Sequence, residues 1–220
     1  MPAPDQSSTP SLDVLLTTRS DLWRGRKRPA VNTLPTGQAW LDRQLPGGGW
    51  PCSRLTELIS THPGAGAFGL LLPALARQTR SGRPVVLVAP PLLPCPQTLA
   101  CAGLDLSRLI VIRRADQTLW ASEQCLKSGL CGAVVAWPAP AAATPTALRR
   151  LQLAARSGDA PLFVCYRPEP QLSASSAVLR LMVRPGPVIT IMHAAGTAPT
   201  GELRPAADNV VTLAGHRPQR

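Results

Sequence analysis

The fold is decided by residues 55–89, which read LTELISTHPGAGAFGLLLPALARQTRSGRPVVLVA. An apolar run at 55–59 leads into a glycine-rich loop, a helix-length segment follows at 68–80, and the unbroken apolar run 85–89 comes next. Short apolar runs without polar alternation predict strands buried on both faces, and the helical segment between them predicts a parallel crossover. This stretch therefore predicts the beginning of an α/β domain.

The same alternation of strand and helix patterns continues towards the C-terminus. The predicted elements are a helix at Gln97–Gly103, a strand at Leu109–Ile112, a helix at 117–128, a strand at Ala133–Trp137, a helix at 145–157 and a strand at Leu162–Tyr166. Two further apolar runs, Val178–Val183 and Val188–Met192, flank a Pro-Gly turn and predict a closing antiparallel hairpin. The pattern is typical of a mainly parallel sheet sandwiched by helices.

The predicted core covers residues 34–193, and the composition changes at each end. Residues 1–33 combine a Pro/Ser-rich start, a short amphipathic helix and a basic stretch, and we predict a mobile segment there. Residues 194–220 are dominated by Gly, Pro, Thr and Ala without periodicity, which predicts a flexible tail. A chain of 220 residues has room for one full core.

Composition excludes several classes of protein. A hydrophobic content of 45% with 16% charged residues excludes a wholly disordered chain. No apolar run reaches about 18 residues, so we expect no membrane-spanning helix. The N-terminal sequence lacks the basic-then-apolar pattern of a secretory signal, and we therefore expect a cytoplasmic protein.

The charge balance is strongly basic, with 23 Lys+Arg against 12 Asp+Glu and a net charge of +11. Such a surface favours acidic partner proteins or polyanions, including single-stranded DNA. Only two of the basic residues are lysines, Lys27 and Lys127.

The six cysteines lack the spacing of a metal or redox motif. They lie at positions 52, 95, 101, 125, 131 and 165; two pairs are separated by five residues and none forms Cys-x-x-Cys. The three histidines show no ligand spacing either. We expect reduced and mostly buried thiols, and no metal site.

The glycine-rich loop lies where an α/β protein would bind a phosphate. Backbone N–H groups and a helix N-terminus supply the anion site, a lysine reaches the phosphates and a Ser/Thr hydroxyl holds Mg²⁺. Here Gly64 and Gly66 are followed by Ala67 and Phe68, and neither lysine lies near the loop in sequence. Two interpretations stay open, a tight turn alone or nucleotide binding through backbone amides alone. Hydrolysis is not expected at this remnant of a nucleotide loop.

Carboxylates are missing from two other strand ends as well. The strand at 85–89 runs into Pro90-Pro91, and the strand at 133–137 ends in Ala136-Trp137, so neither offers an acid to polarise water or hold Mg²⁺. Glu57, inside the first strand, is the only acid nearby. No Gly-x-Ser-x-Gly elbow or Ser/Cys–His–acid constellation occurs either. We therefore expect a protein without catalytic residues or a cofactor.

Several blocks together resemble the RecA-type recombinase core. They are TGQAWLDRQLPGGGWPCSRLTELIS, VVLVA, AGLDLSRLIVIR, SGLCGAVVAW and LRRLQLAARSGDAPLFVCYRP. The combination of LWRGR, LPGGGWP, TELIS, LLPALARQ, VVLVAPP and LRRLQLAA is more similar still to the ImuA family, RecA/SulA-like bacterial proteins associated with error-prone translesion DNA synthesis. The resemblance covers roughly residues 20–192 and depends on many blocks rather than one motif.

This resemblance implies a RecA-like P-loop-type core and an accessory role in SOS-induced mutagenic DNA synthesis. It implies contacts with an ImuB-type Y-family-like polymerase homologue, with a specialised replicative-type DNA polymerase and with RecA itself. The sequence departs from active RecA at the loop Lys and Ser/Thr, here Ala67 and Phe68. It departs again at the catalytic Glu, here Pro91, and at the Mg²⁺-holding Asp, near Ala136. No catalytic residue of RecA is therefore carried over.

The partner-binding candidates lie mainly in the basic N-terminal segment. Tryptophan and arginine are enriched at binding hot spots, which favours Trp23 with Arg24, Arg26, Lys27 and Arg28. Trp40, Trp50 and Trp120 are further candidate anchors, with core packing as the alternative for each. The C-terminal tail, with its arginines, is another segment that could fold on a partner.

Two other functions stay open. One is a SulA-like inhibitor of cell division that binds a tubulin-like GTPase, and the other is a weak DNA-dependent ATPase. The LWRGR segment and the additional length at both ends favour the translesion adaptor.

Overall fold

An eight-stranded sheet runs through the computed structural model, which describes residues 32–60, 66–166, 175–185, 188–194 and 202–203. These residues belong to one compact unit, Asn32–Arg220. Two short strands, β1 (Thr33–Leu34) and β2 (Trp50–Pro51), form a second, antiparallel sheet. The large sheet consists of β3 (Leu55–Ser60), β4 (Val85–Val88), β5 (Leu109–Ile112), β6 (Ala133–Ala136), β7 (Leu162–Tyr166), β8 (Leu179–Arg184), β9 (Val188–Ala194) and β10 (Glu202–Leu203).

Five helices of the described residues connect these strands. They are α1 (Ala39–Asp42), α2 (Ala67–Arg80), α3 (Pro96–Cys101), α4 (Thr118–Lys127) and α5 (Pro145–Ser157). Short 3-10 turns occur at Leu106–Arg108, Ala115–Gln117 and Pro140–Ala142.

Across the large sheet the strands follow the order β10-β9-β8-β3-β7-β6-β4-β5. The six strands from β8 to β5 are parallel, β9 runs antiparallel to β8, and β10 runs antiparallel to β9. The predicted α/β fold, with a mainly parallel sheet and a closing antiparallel hairpin, is therefore confirmed.

Hydrophobic cores cover both faces of the sheet because successive strand residues point to opposite sides. On one face, Leu58 and Leu87 pack with residues of α1, α2 and α3. On the other face, Leu55 and Val86 pack with residues of α4 and α5. Unbroken apolar strands are the sequence signature of this two-sided burial.

The Thr-Gly segment before α1 is fixed against α2. The N–H of Thr36 donates to the Asp42 carboxylate over 2.9 Å, so the two ends of this turn are tied together. Gly37 has a φ of +84°, and a Cβ there would lie 2.4 Å from the Cβ of Pro73 in α2. Only glycine permits both this backbone conformation and this approach to the helix.

The chain ends differ from the prediction where the structure describes them. Glu202–Leu203, inside the predicted tail 194–220, pairs with Thr190 and Ile189 as β10. A two-residue strand is too short to show periodicity. Its extended conformation depends on pairing with the neighbouring strand β9 rather than on a pattern in its own sequence. The N-terminal segment falls outside the described residues except for its last two positions. Among the described helices, none has both the length and the apolar character to cross a bilayer.

Candidate functional site

The predicted phosphate loop connects β3 to α2 at the carboxyl edge of the parallel strands. Ser60 ends β3, and residues 61–65, including Gly64, lie outside the described part of the chain. Gly66 precedes α2 with a φ of +84°, a left-handed conformation that glycine adopts without strain. Its carbonyl accepts the N–H of Leu70 over 3.0 Å, which begins the helix. A left-handed glycine thus leads into the helix, with buried Ala67 as the first helical residue.

An aromatic pair fills the place where metal ligands would be expected. Phe68, the second residue of α2, meets Trp137, the first residue after β6, with ring centroids 5.6 Å apart and planes at 63°. Both rings are half-buried and pack against the core on the α2 face. P-loop NTPases hold Mg²⁺ between the loop Ser/Thr hydroxyl and an Asp at this strand end, and Mg²⁺ requires oxygen ligands. Neither ring offers an oxygen.

Past the ends of β4 and β6 the chain continues the backbone hydrogen bonds of the sheet and carries no acid. The N–H of Ala89 donates to the carbonyl of Ile112 over 2.7 Å, and the N–H of Trp137 donates to the carbonyl of Val88 over 3.1 Å. These bonds continue the sheet past the ends of β4 and β6. Pro90 and Pro91 follow Ala89 directly. Pro91, which we aligned with the catalytic Glu of RecA, has neither a carboxylate nor a backbone N–H.

Glu57, the one acid predicted near the loop, is on the opposite face of the sheet. It is fully buried, and by strand alternation it lies on the side of Leu55, whereas Leu58 packs on the α2 face. Its Oε2 accepts a hydrogen bond from Nε of Arg180 over 2.5 Å. The carboxylate is thus neutralised inside the core and does not face the loop.

Tyr166 completes this buried group at the end of β7. Burial raises the pKa of the Tyr166 hydroxyl, and the charge and hydrogen bond of Glu57 raise that pKa further. Burial lowers the pKa of Arg180, but the hydrogen bond and charge of Glu57 outweigh burial and leave that pKa raised. Glu57, Tyr166 and Arg180 therefore form a structural ion pair with a neutral tyrosine beside it.

A groove on the other side of the sheet is lined by α4, α5 and the turns that precede them. Its volume is about 560 Å³, and its walls include Trp120, Glu123, Pro138 and Arg150. Glu123 is buried and forms ion pairs with Arg150 and with Lys127, the latter at 2.8 Å. The hydrogen bond from Lys127, followed by that from Arg150, lowers the pKa of Glu123. Trp120 stands at the rim with 59% of its surface exposed.

Strand β5 is an edge whose apolar residues face solvent. Among the described strands it pairs only with β4, and Ile110 and Val111 are 49% and 37% exposed. Arg108 precedes the strand, Arg113 follows it, and both are exposed. The strand thus presents unpaired backbone groups and apolar side chains between cationic ends, which is a surface suited to another chain.

The structure separates the predicted partner-binding residues. Trp50 is fully buried and packs edge-to-face on Phe163 with centroids 5.6 Å apart, so its interpretation as an exposed anchor is wrong. Trp40 is half-buried, and its Nε1 donates to Oε1 of Gln38 over 2.7 Å. Trp120 is exposed, as its interpretation required. The remaining candidates, Trp23, Arg24, Arg26, Lys27 and Arg28, lie outside the described residues.

The thiols are less buried than expected. Cys131 and Cys165 are buried, Cys52 and Cys125 are intermediate, and Cys95 and Cys101 are exposed at the two ends of α3. Within the described ranges, no group of three or more His, Cys, Asp or Glu side chains could hold a metal ion.

Sequence reasoning missed two contacts, one beside the loop and one on the opposite face of the sheet. The Phe68–Trp137 and Glu57–Arg180 pairs join residues that are far apart in sequence, and their contact depends on strand order. The available signal was Trp137 itself, an aromatic residue where a strand end would carry an acid.

No protein-family model matches the chain, and no curated protein sequence matches it. Two solved structures are similar. The SulA protein from Pseudomonas aeruginosa is 26% identical with a TM-score of 0.43, covering 51% of this chain and 98% of that chain. The RadB recombinase is 20% identical with a TM-score of 0.60, covering 77% of this chain and 94% of that chain. The likeness to RadB, together with the strand order and the β3–α2 connection, shows that this chain has an α/β RecA-like core.

Proposed function

We propose that the chain is a non-catalytic accessory protein of SOS-induced, error-prone translesion DNA synthesis. It acts by binding an ImuB-type Y-family-like protein, a specialised replicative-type DNA polymerase and RecA. The observation that carries the proposal is the Phe68–Trp137 pair, because it occupies the metal position of a RecA-like core with two side chains that bind no metal.

The physical argument against turnover concerns charge. Phosphoryl transfer depends on positioning and on neutralising the charge that develops on the phosphates. Ala67 and Phe68 replace the lysine and hydroxyl that supply this neutralisation, and Ala136-Trp137 stand where the second metal ligand, an Asp, would be expected. A RecA-like scaffold without these groups can still present surfaces to other proteins, and we propose that binding is its activity.

The β5 edge supports a protein partner of acidic character. A partner strand aligned along β5 would satisfy the backbone groups that no described strand pairs, cover Ile110 and Val111, and place acidic flanks near Arg108 and Arg113. The net charge of +11 favours the same class of partner. The specific names of the partners come from the family resemblance, with its LWRGR, LPGGGWP and LRRLQLAA blocks.

The absence of catalysis is tested by incubating the purified chain with labelled ATP and Mg²⁺, with and without single-stranded DNA. We expect no phosphate release above the protein-free control, while an active RecA-type ATPase responds in the same assay. Mg²⁺-dependent release that is lost in a Gly64→Asp variant would contradict the proposal, since the added carboxylate repels phosphate.

Partner choice is tested with purified proteins and two matched variants. Ile110→Glu places a carboxylate on the β5 edge, and Leu153→Glu makes the same change at a residue of α5 that is 55% exposed. We expect the ImuB-type protein to bind wild type and the Leu153 variant equally, and the Ile110 variant at least about tenfold more weakly. Binding to a tubulin-like division GTPase, with none to the ImuB-type protein or the polymerase, would instead favour the division inhibitor.

Single-stranded DNA is a second proposed partner, supported by the same net charge. Its affinity should fall steeply as salt rises, because neutralised phosphates release counterions. An affinity that does not change with salt would argue against a surface that contacts phosphates.

A further inference from the structure

Two cysteines are brought together where α4 ends and β6 begins. Cys125 lies in the last turn of α4, and Cys131 is two residues before β6. Sγ of Cys131 donates to the carbonyl oxygen of Cys125 over 3.2 Å, which places the Cys131 thiol against the residue that carries the second thiol. Ser128 holds the turn between them, because its Oγ donates to the same carbonyl over 2.7 Å.

The other pair with the same spacing has a different geometry. Cys95 precedes α3 and Cys101 is the last residue of that helix. Six residues along a helix rise by about 9 Å, which exceeds the Cα separation that a disulfide permits. Both thiols are exposed, so they are open to reagents but cannot join to each other without unwinding the helix. Cys95 and Cys101 therefore serve as an internal control, because they have the same sequence spacing as Cys125 and Cys131 but cannot form a disulfide in the folded protein.

The surroundings of Cys131 favour its thiolate. The neighbouring Cys125 thiol, then the Ser128 hydroxyl and the positive charge of Arg83, lower the pKa of Cys131 to about 7. Nη2 of Arg83 donates to the carbonyl of Cys131 over 2.7 Å, which fixes the guanidinium beside the residue. The pKa of Cys125 is raised by its hydrogen bond to Cys131, by burial and by the charge of its neighbour. The pair thus loses its first proton more readily than an isolated thiol and its second proton less readily, as in a nucleophilic thiol with a resolving partner.

We propose that Cys125 and Cys131 are a redox modification site, at which a hydroperoxide converts the two thiols into a reversible disulfide. Cys131 is the attacking thiol and Cys125 is the resolving thiol. The disulfide closes the turn 125–131 and ties the end of α4 covalently to the start of β6. This redox site goes beyond the proposed function, which requires only binding to other proteins.

The reaction balances in two steps. The Cys131 thiolate attacks one oxygen of the hydroperoxide, an S–O bond forms, the O–O bond breaks, and the leaving alkoxide takes up the proton that Cys131 lost. The Cys125 sulfur then attacks the sulfenic sulfur, an S–S bond forms, and the departing hydroxide leaves as water with the proton of Cys125. Two electrons from the thiols reduce one hydroperoxide to an alcohol, or to water when the oxidant is hydrogen peroxide.

The site is tested on the full wild-type chain with hydrogen peroxide, followed by thiol blocking with N-ethylmaleimide and tryptic digestion without reductant. Trypsin cleaves after Lys127, so this disulfide links two separate peptides, 115–127 and 128–149. Cys95 and Cys101 share one peptide, 81–108, because Pro84 protects the bond after Arg83. We expect the linked pair 115–127/128–149 to be the main disulfide and to disappear on reduction.

Matched variants make the assignment specific. A Cys95→Ser/Cys101→Ser double variant should give the same linked peptides, while Cys131→Ser should lose them. The wild-type digest decides the question even where a variant folds poorly. Three outcomes would overturn the proposal: peroxide that oxidises Cys95 or Cys101 while Cys125 and Cys131 still react with N-ethylmaleimide after unfolding, a main disulfide that joins Cys131 to Cys52, or oxidation of Cys131 to sulfinic acid without the link.

Discussion

The carboxyl end of β6 and the edge strand β5 differ from the usual α/β pattern in opposite ways. At the end of β6, aromatic rings occupy the position where a RecA-like ATPase places oxygen ligands. Along β5, apolar side chains face solvent where a parallel sheet normally buries them. The first difference leaves the end of β6 without oxygen ligands of the kind that Mg²⁺ requires, and the second leaves a surface that another chain could cover. These two differences are the reason that we propose binding rather than catalysis.

The largest expected effect is a difference in stability between variants of the central strand β4 and of the edge strand β5. It tests whether β4 is interior while β5 is exposed. Leu87 of β4 is fully buried and lies in register with Val111 of β5. Leu87→Ala should lower the free energy of unfolding by about 2–5 kcal/mol, because it leaves a cavity in a packed core. Val111→Ala should cost less than about 1 kcal/mol, since part of its side chain already meets water.

Urea denaturation of both variants, followed by circular dichroism, measures the difference directly. Equal costs at the two positions would mean that β5 is covered and is not an available edge.

The next effect concerns the aromatic pair at the end of β6. Phe68→Ala and Trp137→Ala should each cost about 2 kcal/mol, less than for fully buried rings because both are half-buried. The double variant should cost less than the sum, with a coupling of about 0.5–1.5 kcal/mol from the edge-to-face contact.

A double-mutant cycle of unfolding free energies gives this coupling, and Trp40→Ala with Phe68→Ala is a control pair with no aromatic contact between its rings in the described structure. Strictly additive costs for Phe68 and Trp137 would mean that the rings do not pack together and that the metal position is open.

Much of this molecule could be predicted from periodicity, and the limits of periodicity explain the rest. The runs VVLV at 85–88 and LIVI at 109–112 have the same apolar character, and both were correctly predicted as strands. The burial of the two strands differs because β4 is paired on both sides and β5 on one side only. A local sequence pattern does not determine the order of strands in a sheet. An exposed edge therefore could not be distinguished from a central strand.

The site shows the same limit at the level of single residues. The loss of the loop lysine and hydroxyl could be read at Ala67 and Phe68 because neighbours in sequence define that loop. The contact of Phe68 with Trp137 could not be predicted, since it needs α2 and β6 to be placed in space. The choice between anchor and core could not be made for Trp50 for a related reason: a tryptophan beside glycines carries no sign of burial until the β1–β2 pair places it against Phe163.

A smaller, pH-dependent effect on stability tests whether Tyr166, beside the buried Glu57–Arg180 ion pair, has a structural role. The folded-state pKa of Tyr166 is raised above its unfolded value of about 10, first by burial and then by Glu57. The stability that neutral Tyr166 contributes is therefore complete below about pH 10 and is lost as the pH rises towards the folded pKa. Tyr166→Phe should be less stable than wild type by about 1 kcal/mol near pH 8, through the lost hydrogen bond.

Above about pH 10 the gap between the two proteins should narrow, because only the wild type carries the ionising hydroxyl. Urea denaturation at several alkaline pH values measures the gap, and Cys165, whose pKa burial raises to about 12, titrates in both proteins and cancels from the difference. A gap that widens with pH would show that Tyr166 ionises more easily in the folded state, and the buried group would then be reactive rather than structural.

The smallest expected change in stability is the most informative about β5. Ile110→Glu and Leu153→Glu place the same charge at residues of similar exposure, 49% and 55%, and each should alter the free energy of unfolding by no more than about 0.5 kcal/mol. Because backbone pairing with β4 is unchanged, the Ile110 variant should keep the native circular dichroism spectrum while losing partner binding. A loss of stability above about 2 kcal/mol for Ile110→Glu alone would mean that a part of the chain covers the edge, since burying an unpaired carboxylate is costly. The apolar residues of β5 would then belong to the interior of the protein. The aromatic residues at the end of β6 would be the one remaining departure from the usual α/β pattern.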